Sequence, residues 1–458
     1  MKTLRSCLLT SCAAALLGLS VLGAAAQAQD LAMAPEKAPV PFRVEPYLVT
    51  PAPMAAEDAE SARPFHEEIR IPGATWLQVR FGDYDLGENS YLTVTGIQDG
   101  VEQRLTAKTL PQAYGVSAIF NGEGVDVDLH IAPGDSGVFV DIQEVNVGQD
   151  PFFEESQCGG TDDRTQTTNN RVGRIMPVGC TGWIIASGIY LTAGHCIGAS
   201  DNTLEFNVPN SLSNGATQSP GPNDQYTIDQ TSIVFFNDGA GQIGNDWALF
   251  RVNPNANTGL LPVQAYGGFY RVTHDHLPPT SGDNIRITGY GLDFDDLTFN
   301  QTLQTHIGPF VSETIEAGND VVLRYQVDTE GGNSGSPVIV RDIGGSHTIG
   351  IHTNAGCGNF LGLPTGSNSG TSFENNDLEN AINTASGSTT EYVDGAHVSP
   401  TESGTVFHPW DTVAEAASAV PSGGTVAIVQ GTYTAAGLVI DGTKGFTITA
   451  PVGTVTLQ

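Results

Sequence analysis

Positively charged side chains are scarce in this chain of 458 residues. Lys and Arg number 18 against 50 Asp and Glu, which gives a formal net charge of −32, and no lysine occurs between Lys108 and Lys444. Such an acidic surface repels nucleic acid and anionic lipid. We therefore expect no nucleic-acid partner, although the charge says nothing direct about a reaction.

Long apolar stretches are also missing, with one exception near the start. An apolar run over residues 7–26 follows the basic opening MKTLR and leads into an Ala-Gln-Ala triplet, which is typical of a signal-peptidase site. We predict a secretory signal peptide over residues 1–28, cut after Ala28. Because no later stretch is long enough to span a bilayer, we expect no membrane insertion and an exported protein, either extracellular or periplasmic.

Cysteine is sparse, and the chain has no Cys-x-x-Cys motif and no glycine-rich phosphate loop. Two of the six cysteines lie in the predicted signal peptide. An even number remains after export into an oxidising compartment, so disulfide bonds are expected among them. These four residues are Cys158, Cys180, Cys196 and Cys357.

The N-terminal third has two textures. Residues 29 to about 64 are rich in Pro and Ala and are expected to form a flexible leader. From residue 65 to about 147, apolar and polar residues alternate in short runs separated by Gly and Asp, which predicts a small antiparallel β-sandwich-like domain. Residues 29–155 are thus expected to be either a propeptide or an accessory domain.

The remainder is predicted to be all-β as well. Residues 156–390 contain many short strands between Gly, Asn and Pro turns, with one credible helix at FENNDLENAINTA, a pattern that favours a β-barrel with a closing helix. Residues 391–458 contain a short helix and then repeated short strands, like the first coils of a parallel β-helix. So short a fragment buries little by itself, which indicates an appended module.

The segment DTEGGNSGSP raises the question of a nucleophile. It runs from Asp328 to Pro337 and places Ser334 between small residues. Serine catalysis needs a base that accepts the hydroxyl proton, a carboxylate that orients the base, and backbone N–H groups that hold the oxyanion. His195 ends a predicted hairpin that Cys180 and Cys196 flank and can staple together.

The carboxylate candidate is Asp246, at the head of the apolar strand in GNDWALFRV. A buried acid must be paired, and the N–H of His195 would satisfy it. The order along the chain is His, Asp, Ser. An α/β-hydrolase has the order Ser, Asp, His and needs Gly two residues after the nucleophile, where this chain has Ser336. That alternative fails on both counts.

In this order the motifs resemble the trypsin-like, or chymotrypsin-fold, serine peptidases. The resemblance implies two six-stranded β-barrels with the active site between them, and protein or peptide substrates. By motif, His195 is the general base, Asp246 orients it and Ser334 attacks the carbonyl. The backbone N–H groups of Gly332 and Ser334 form the oxyanion hole, and no metal or organic cofactor is implied.

Within that family the chain is similar to the bacterial glutamyl endopeptidases. The shared segments are Asp-Asp-Arg at 162–164, Cys-Thr-Gly-Trp at 180–183 and His-Thr-Asn at 352–354. The resemblance implies cleavage after Glu or Asp, with Thr329 and His352 holding the substrate carboxylate. An imidazolium and a hydroxyl both donate to a carboxylate.

Departures from the family leave alternatives open. Asp328 lies where trypsin carries the acid that selects Arg and Lys, so trypsin-like cleavage remains an alternative. Asn333 replaces the Asp that pairs with a new N-terminal amine in digestive members, so a switch of that kind is not expected. Aligning the Asp-Asp-Arg segments places the mature start near residue 156. Self-processing after Glu155, in a zymogen, is the resulting hypothesis.

Two further expectations complete the sequence analysis. Cys158 and Cys357 are predicted to pair, which would tie the N-terminal segment beside the pocket. The rival from another class is a non-catalytic binding or surface protein built on the same scaffold, against which an intact triad argues. The sequence makes no prediction of the oligomeric state.

Overall fold

The computed structural model describes residues 42–55, 62–149, 157–198, 203–237, 243–274, 280–316, 318–340, 347–360, 363–397, 399–438 and 444–458. The predicted signal peptide and the predicted cleavage point after Glu155 lie outside the described residues. Within these ranges, none of the helices has the length and apolar character needed to cross a membrane.

Alternating residues in the N-terminal region form two antiparallel sheets around one apolar core. The first sheet has the order β1-β9-β4-β7, with β2 paired to β9, and the second has the order β3-β8-β5-β6. The elements are β1 (Phe42–Val49), β2 (Met54–Ala55), β3 (Ala62–Arg70), β4 (Trp76–Asp85), β5 (Tyr91–Gly96), β6 (Glu102–Thr106), α1 (Thr109–Gln112), β7 (Phe120–Asn121), β8 (Gly124–Ile131) and β9 (Ser136–Gly148).

The expectation of a flexible leader up to residue 64 is wrong for its described part. Strand β1 pairs with β9 from Phe42↔Gly148 to Val49↔Ile142. Its sequence, FRVEPYLV, alternates half-buried and exposed positions. The Pro and Ala content concealed this alternation, and the pairing partner lies about a hundred residues further along the chain, beyond the reach of a local pattern.

The first barrel closes in the order β11-β12-β13-β16-β15-β14. Its inward-facing residues belong to the largest apolar core of the described chain. The strands are β11 (Val172–Met176), β12 (Cys180–Ile184), β13 (Tyr190–Thr192), β14 (Thr203–Glu205), β15 (Gln225–Phe236) and β16 (Trp247–Val252), preceded by the short strand β10 (Thr165–Gln166), which pairs with the second barrel instead.

The second barrel closes in the order β19-β18-β21-β22-β25-β20, because β20 pairs back onto β19. Its elements, with the helices that flank it, are α2 (Pro262–Tyr266), β17 (Arg271–Val272), β18 (Asn284–Gly289), β19 (Gln304–Ile315), β20 (Val321–Tyr325), β21 (Pro337–Val340), β22 (His347–Asn354), β23 (Cys357–Phe360), β24 (Leu363–Gly366), β25 (Asn368–Ser372) and α3 (Asn376–Ser386). Helix α3 is the predicted closing helix. Its N-cap is Asn375, whose side chain accepts from two backbone N–H groups. The prediction of an all-β double barrel is thus confirmed.

The C-terminal residues form parallel pairs, as a β-helix-like module would. The elements are β26 (Thr390–Val393), α4 (Val413–Ala419), β27 (Thr425–Ile428), β28 (Gly431–Tyr433), β29 (Thr447–Thr449) and β30 (Val455–Leu457). The first strand starts at Thr390, one residue before the predicted boundary. Phe407 and Val429 join the core of the first barrel, so this segment packs on the peptidase barrels instead of standing apart.

Candidate active site

His195 lies in a short 3-10 turn directly after the hairpin of β12 and β13. The Cys180–Cys196 disulfide is present and ties the start of the hairpin to the residue that follows the histidine. His195 is only 6% exposed. The staple therefore holds the imidazole at the barrel edge with little freedom to turn.

Asp246 contacts the same histidine through both carboxylate oxygens. Oδ2 lies 2.5 Å from Nδ1 of His195, and Oδ1 accepts the backbone N–H of His195 at 2.9 Å. Thr371 anchors the aspartate from the second barrel, since its hydroxyl lies 3.0 Å from the Asp246 amide. Gly194 makes this approach possible, because a Cβ there would lie 2.8 Å from the Asp246 carboxylate and 2.1 Å from the Phe236 carbonyl oxygen.

Ser334 lies in a tight turn of the second barrel that packs against this hairpin. Its carbonyl oxygen accepts the Thr181 N–H at 2.9 Å and lies 3.8 Å from Sγ of Cys196, the residue after His195. Gly335 has φ +90°, and a Cβ there would lie 2.1 Å from the Thr181 carbonyl oxygen, so the turn requires glycine. The structure thus brings the three predicted triad residues into one region between the barrels.

The proton-accepting face of the histidine is available. Nε2 of His195 is buried and has no hydrogen-bond partner among the described residues. The Ser334 hydroxyl lies 3.4 Å from the Thr353 carbonyl oxygen, which is a long contact. Catalytic hydrogen bonds are often long before substrate binds and tighten afterwards.

The segment predicted to form the oxyanion hole is closely constrained. Gly332 has φ +101°, and a Cβ there would lie 2.3 Å from the Tyr290 carbonyl oxygen. The Thr181 hydroxyl donates to the Gly332 carbonyl at 2.9 Å. With φ in the left-handed region and no room for a side chain, the position accepts only glycine.

Of the two predicted pocket residues, His352 lies on β22, and Thr329 lies in the loop that connects β20 to the serine turn. Nδ1 of His352 is 2.7 Å from the Tyr325 hydroxyl, and the Thr329 hydroxyl accepts from the Asn368 amide at 2.8 Å. Asn368 pairs in register with Tyr325, and β25 pairs with β22, so one sheet holds Tyr325, His352 and Asn368, and Asn368 reaches Thr329 in the adjoining loop. His352 and Thr329 are fully buried.

Asp328 has a different environment from that of a pocket floor. Its two oxygens accept the backbone N–H groups of Cys158 at 2.9 Å and Asp163 at 2.8 Å. Burial raises the pKa of Asp328, and these N–H donors and His306 only partly offset that effect. The carboxylate holds the N-terminal segment in place, and the Cys158–Cys357 disulfide, which is present, ties the same segment to the second barrel.

Two groups of side chains in the described ranges come close enough to share an ion, but neither donor set suits a metal. In the first, Cys180 and Cys196 are joined in a disulfide and cannot bind as thiolates. In the second, Asp328 is engaged as described above, and Nδ1 of His306 accepts the Asp328 amide N–H at 2.8 Å.

Sequence reasoning missed Tyr325 and Asn368. Neither lies within a recognisable motif. Asn368 reaches the site because its strand, β25, pairs with β22, and Tyr325 reaches it because its strand, β20, pairs with β25. A tyrosine six residues before the Gly-Gly of the serine turn carries no local signal of its own. The contact of Arg164 with the serine turn, described below, was missed for the same reason.

Two closed barrels, with a paired His and Asp on the first and a serine turn on the second, define the chymotrypsin-like architecture. The trypsin family model matches residues 158–368. The glutamyl endopeptidase of Bacillus licheniformis is 30% identical over 215 residues, which cover 43% of this chain and 60% of that protein. A Bacillus subtilis protein named extracellular metalloprotease is 30% identical over 286 residues, 57% of this chain and 80% of that protein.

The chain therefore belongs to the trypsin-like serine peptidases, which hydrolyse peptide bonds, and its similarity to the Bacillus licheniformis protein supports the glutamyl endopeptidase branch. Among solved structures, a Glu endopeptidase in complex with MPD aligns with a TM-score of 0.36 and 22% identity, over 50% of this chain and 99% of that chain. This chain spans 60% of the length of the Bacillus licheniformis relative.

Proposed function

We propose that the protein is an exported serine endopeptidase that cleaves after Glu, or Asp, by way of an acyl-enzyme. The observation that carries the proposal is the contact of Nδ1 of His195 with Asp246 at 2.5 Å, which leaves a buried Nε2 without a partner beside the serine turn. An imidazole oriented in this way is arranged to accept a proton through Nε2.

In the proposed mechanism Nε2 of His195 takes the proton of the Ser334 hydroxyl as its oxygen attacks the substrate carbonyl. Asp246 stabilises the imidazolium that forms. The backbone N–H groups of Gly332 and Ser334 receive the negative charge on the carbonyl oxygen. The histidine then passes its proton to the leaving amine, and water hydrolyses the ester by the same steps in reverse order.

Preference for Glu is proposed from the residues around the pocket. If the Tyr325 hydroxyl donates to Nδ1 of His352, the histidine carries its proton on Nε2 and can donate it to a substrate carboxylate. The Thr329 hydroxyl oxygen accepts a hydrogen bond from the Asn368 amide. In the proposal, the hydroxyl donates its own proton to the substrate carboxylate. A glutamyl endopeptidase is among the relatives, which supports the same preference.

Cleavage after Arg or Lys is the less favoured alternative. It would need the Asp328 carboxylate to face the substrate cation. Both of its oxygens already accept backbone N–H groups of the N-terminal segment, and the residue is only 1% exposed. A substrate cation would have to displace that segment, which a disulfide also holds.

The N-terminal region is proposed to be a propeptide that docks on the first barrel, away from the serine turn. Gln225 of the barrel exchanges two hydrogen bonds with the backbone of Ile119, each 2.8 Å long. Tyr114 donates to Asp229 at 3.0 Å, and Asn257 bonds the backbone of Arg104 at 2.8 Å. Gln225 and Asp229 lie on β15, and Asn257 lies in the loop after β16, so these contacts all join the N-terminal region to the first barrel.

The test of the activity is cleavage of a peptide library by the purified secreted protein beside a Ser334→Ala control. Cuts after Glu that vanish in the control are the expected result. Cuts after Arg or Lys would support the triad but would indicate that Asp328, and not Thr329 and His352, selects the substrate side chain. Absence of any cut, from protein whose N-terminus has been sequenced, would favour a non-catalytic binding protein.

Export and processing have a separate test. N-terminal sequencing of the protein recovered from the culture medium is expected to find a start at residue 156. A mature form that starts at Gln29 would instead mean that residues 29–155 are retained as an accessory domain.

A further inference from the structure

Arg164 is a buried cation close to the proposed nucleophile. Its side chain is only 1% exposed. The guanidinium binds the Asp162 carboxylate at distances between 2.5 and 3.1 Å and donates to the Leu292 carbonyl oxygen at 2.5 Å. An arginine side chain is desolvated to this degree only where several acceptors compensate it.

One of these acceptors belongs to the serine turn. Nη1 of Arg164 donates to Oδ1 of Asn333 at 3.2 Å, and the same oxygen accepts the Glu330 amide N–H at 2.9 Å. Asn333 directly precedes Ser334 and is 2% exposed. Gly291 leaves room for the contact, because a Cβ there would lie 2.2 Å from both Nη1 and Oδ1.

Three acidic side chains surround the positive charge of Arg164 and stabilise it. Burial acts to lower the pKa of Arg164, but Asp162, Glu330 and Asp293 outweigh burial and raise it. Glu330 belongs to the serine turn and is fully buried, and Asp293 is 4% exposed. The guanidinium therefore favours the ionised form of these buried carboxylates.

Bonds to the second barrel hold Arg164 in position. The segment that carries it is held by the Cys158–Cys357 disulfide and by two backbone N–H groups on Asp328. Just beyond it, β10 pairs with β19 of the second barrel. The guanidinium is therefore delivered to Asn333 from the middle of a continuous chain.

We propose that Arg164 is a positioning residue for the serine turn, and that it orders Ser334 without the need for a newly cleaved N-terminal amine. The inference rests on the proposed nucleophilic role of Ser334. It follows that the chain that still carries its N-terminal region has a reactive serine. Removal of the N-terminal region is then not required to order the turn that carries Ser334.

The first experiment measures the rate at which a fluorophosphonate probe labels Ser334 in Arg164→Met and Arg164→Lys, together with kcat and KM on a Glu peptide. We expect Arg164→Met to lower the labelling rate and kcat by about tenfold or more, with KM within about threefold of the wild type, since the turn and not the pocket is disturbed. Arg164→Lys keeps the positive charge but loses the planar set of guanidinium donors. Its labelling rate is expected to fall between those of Arg164→Met and the wild type.

Arg271→Met is the matched control. Arg271 binds Asp394 at 2.7 and 2.9 Å at the junction with the C-terminal segment, so its loss also removes a partly buried arginine–aspartate pair. It is expected to lower thermal stability and leave the labelling rate unchanged. Equal labelling rates for Arg164→Met, Arg271→Met and the wild type would overturn the inference.

Asn333 provides a second pair of variants if Arg164→Met does not fold. Asn333→Asp keeps an oxygen for the guanidinium and should retain the labelling rate within about threefold, whereas Asn333→Leu should lose about tenfold while the Arg164–Asp162 pair persists. Equal rates in these two variants would also contradict the positioning role.

The uncleaved chain is tested with a Glu154→Gln/Glu155→Gln variant, whose retained N-terminal region is verified by intact mass. We expect Ser334 to be labelled at the wild-type rate. Labelling that appears only after cleavage would overturn the inference but not the proposed function. A wild-type chain that is never labelled would overturn both, so the two failures are distinguishable.

Discussion

Asp246 binds both the side chain and the backbone of His195: Oδ2 lies 2.5 Å from Nδ1, while Oδ1 accepts the backbone N–H at 2.9 Å. The carboxylate therefore fixes the ring and the turn that carries it as one unit. With Nδ1 facing a carboxylate, the ring proton belongs on Nδ1, which leaves Nε2 for the role of base in the proposed mechanism.

Replacing Asp246 with Asn is expected to lower kcat by about 10⁴ with little change in KM, because an amide donor at this position favours the wrong histidine tautomer. Steady-state kinetics on a Glu peptide measure both constants. Asp229→Asn is a suitable control, since that aspartate lies on β15 and binds Tyr114 of the N-terminal region instead of a candidate triad residue. A kcat within tenfold of the wild type would contradict the assigned role of Asp246.

Tyr325→Phe is expected to weaken the preference for Glu. The change removes the hydroxyl that lies 2.7 Å from Nδ1 of His352, and one lost hydrogen bond of this kind is worth about 1 kcal/mol, or roughly fivefold. The measurement is the ratio of kcat/KM for matched Glu and Gln peptides. Tyr392→Phe, which loses a bond to the Ser386 carbonyl oxygen instead, should leave the ratio unchanged.

Asp328→Asn is expected to destabilise the protein without changing its substrate preference. Asn offers one acceptor oxygen where two backbone N–H groups need one each, and an unsatisfied buried donor costs about 1 to 3 kcal/mol. Chemical denaturation and peptide-library cleavage report the two effects. If the wild type cuts after Arg and the variant does not, Asp328 binds the substrate side chain and this prediction is wrong.

His397 is expected to make stability depend on pH between about 6.5 and 4. Burial is the main cause that lowers its pKa to about 4, and nearby His347 and Arg271 add to the effect, while the Val272 carbonyl and Asp394 oppose it. The unfolded chain binds the proton first, so stability is fully present above pH 6.5 and is lost as pH falls towards 4.

The expected loss from His397 is about 3 kcal/mol over that interval. It is measured as the free energy of unfolding at a series of pH values, in the wild type and in His397→Gln. The variant should show a flatter profile between pH 6.5 and 4. Parallel profiles would show that another group titrates in its place.

The N-terminal region is expected to stay bound to the peptidase after cleavage, because its contacts with the first barrel are specific and partly buried. Gln225→Ala removes both bonds to Ile119 and should weaken the complex by about 2 kcal/mol. Gel filtration of the cleaved protein, followed by mass spectrometry, shows whether the two parts elute together. Separation of the wild-type parts at micromolar concentration would contradict this expectation.

Local patterns were sufficient to predict most of the strands and helix α3, and they supplied the members of the candidate triad as a prediction. The strands show period-two alternation, and His195, Asp246 and Ser334 each lie in a short segment with its own composition. Strand β1 was missed because its partner β9 lies far along the chain, and a Pro-rich composition hid its alternation. Tyr325 was missed because only pairing between strands brings it to His352.

Asp328 and Arg164 show most clearly where sequence reasoning ends. The sequence by itself determined that an acid precedes the serine turn and that an arginine lies near residue 160. It could not determine what either one faces. Asp328 binds the amides of residues 158 and 163, and Arg164 reaches Asn333, a separation of 169 positions. Burial and hydrogen-bond partners decide the role of a charged group, and only the closed barrel sets both of them.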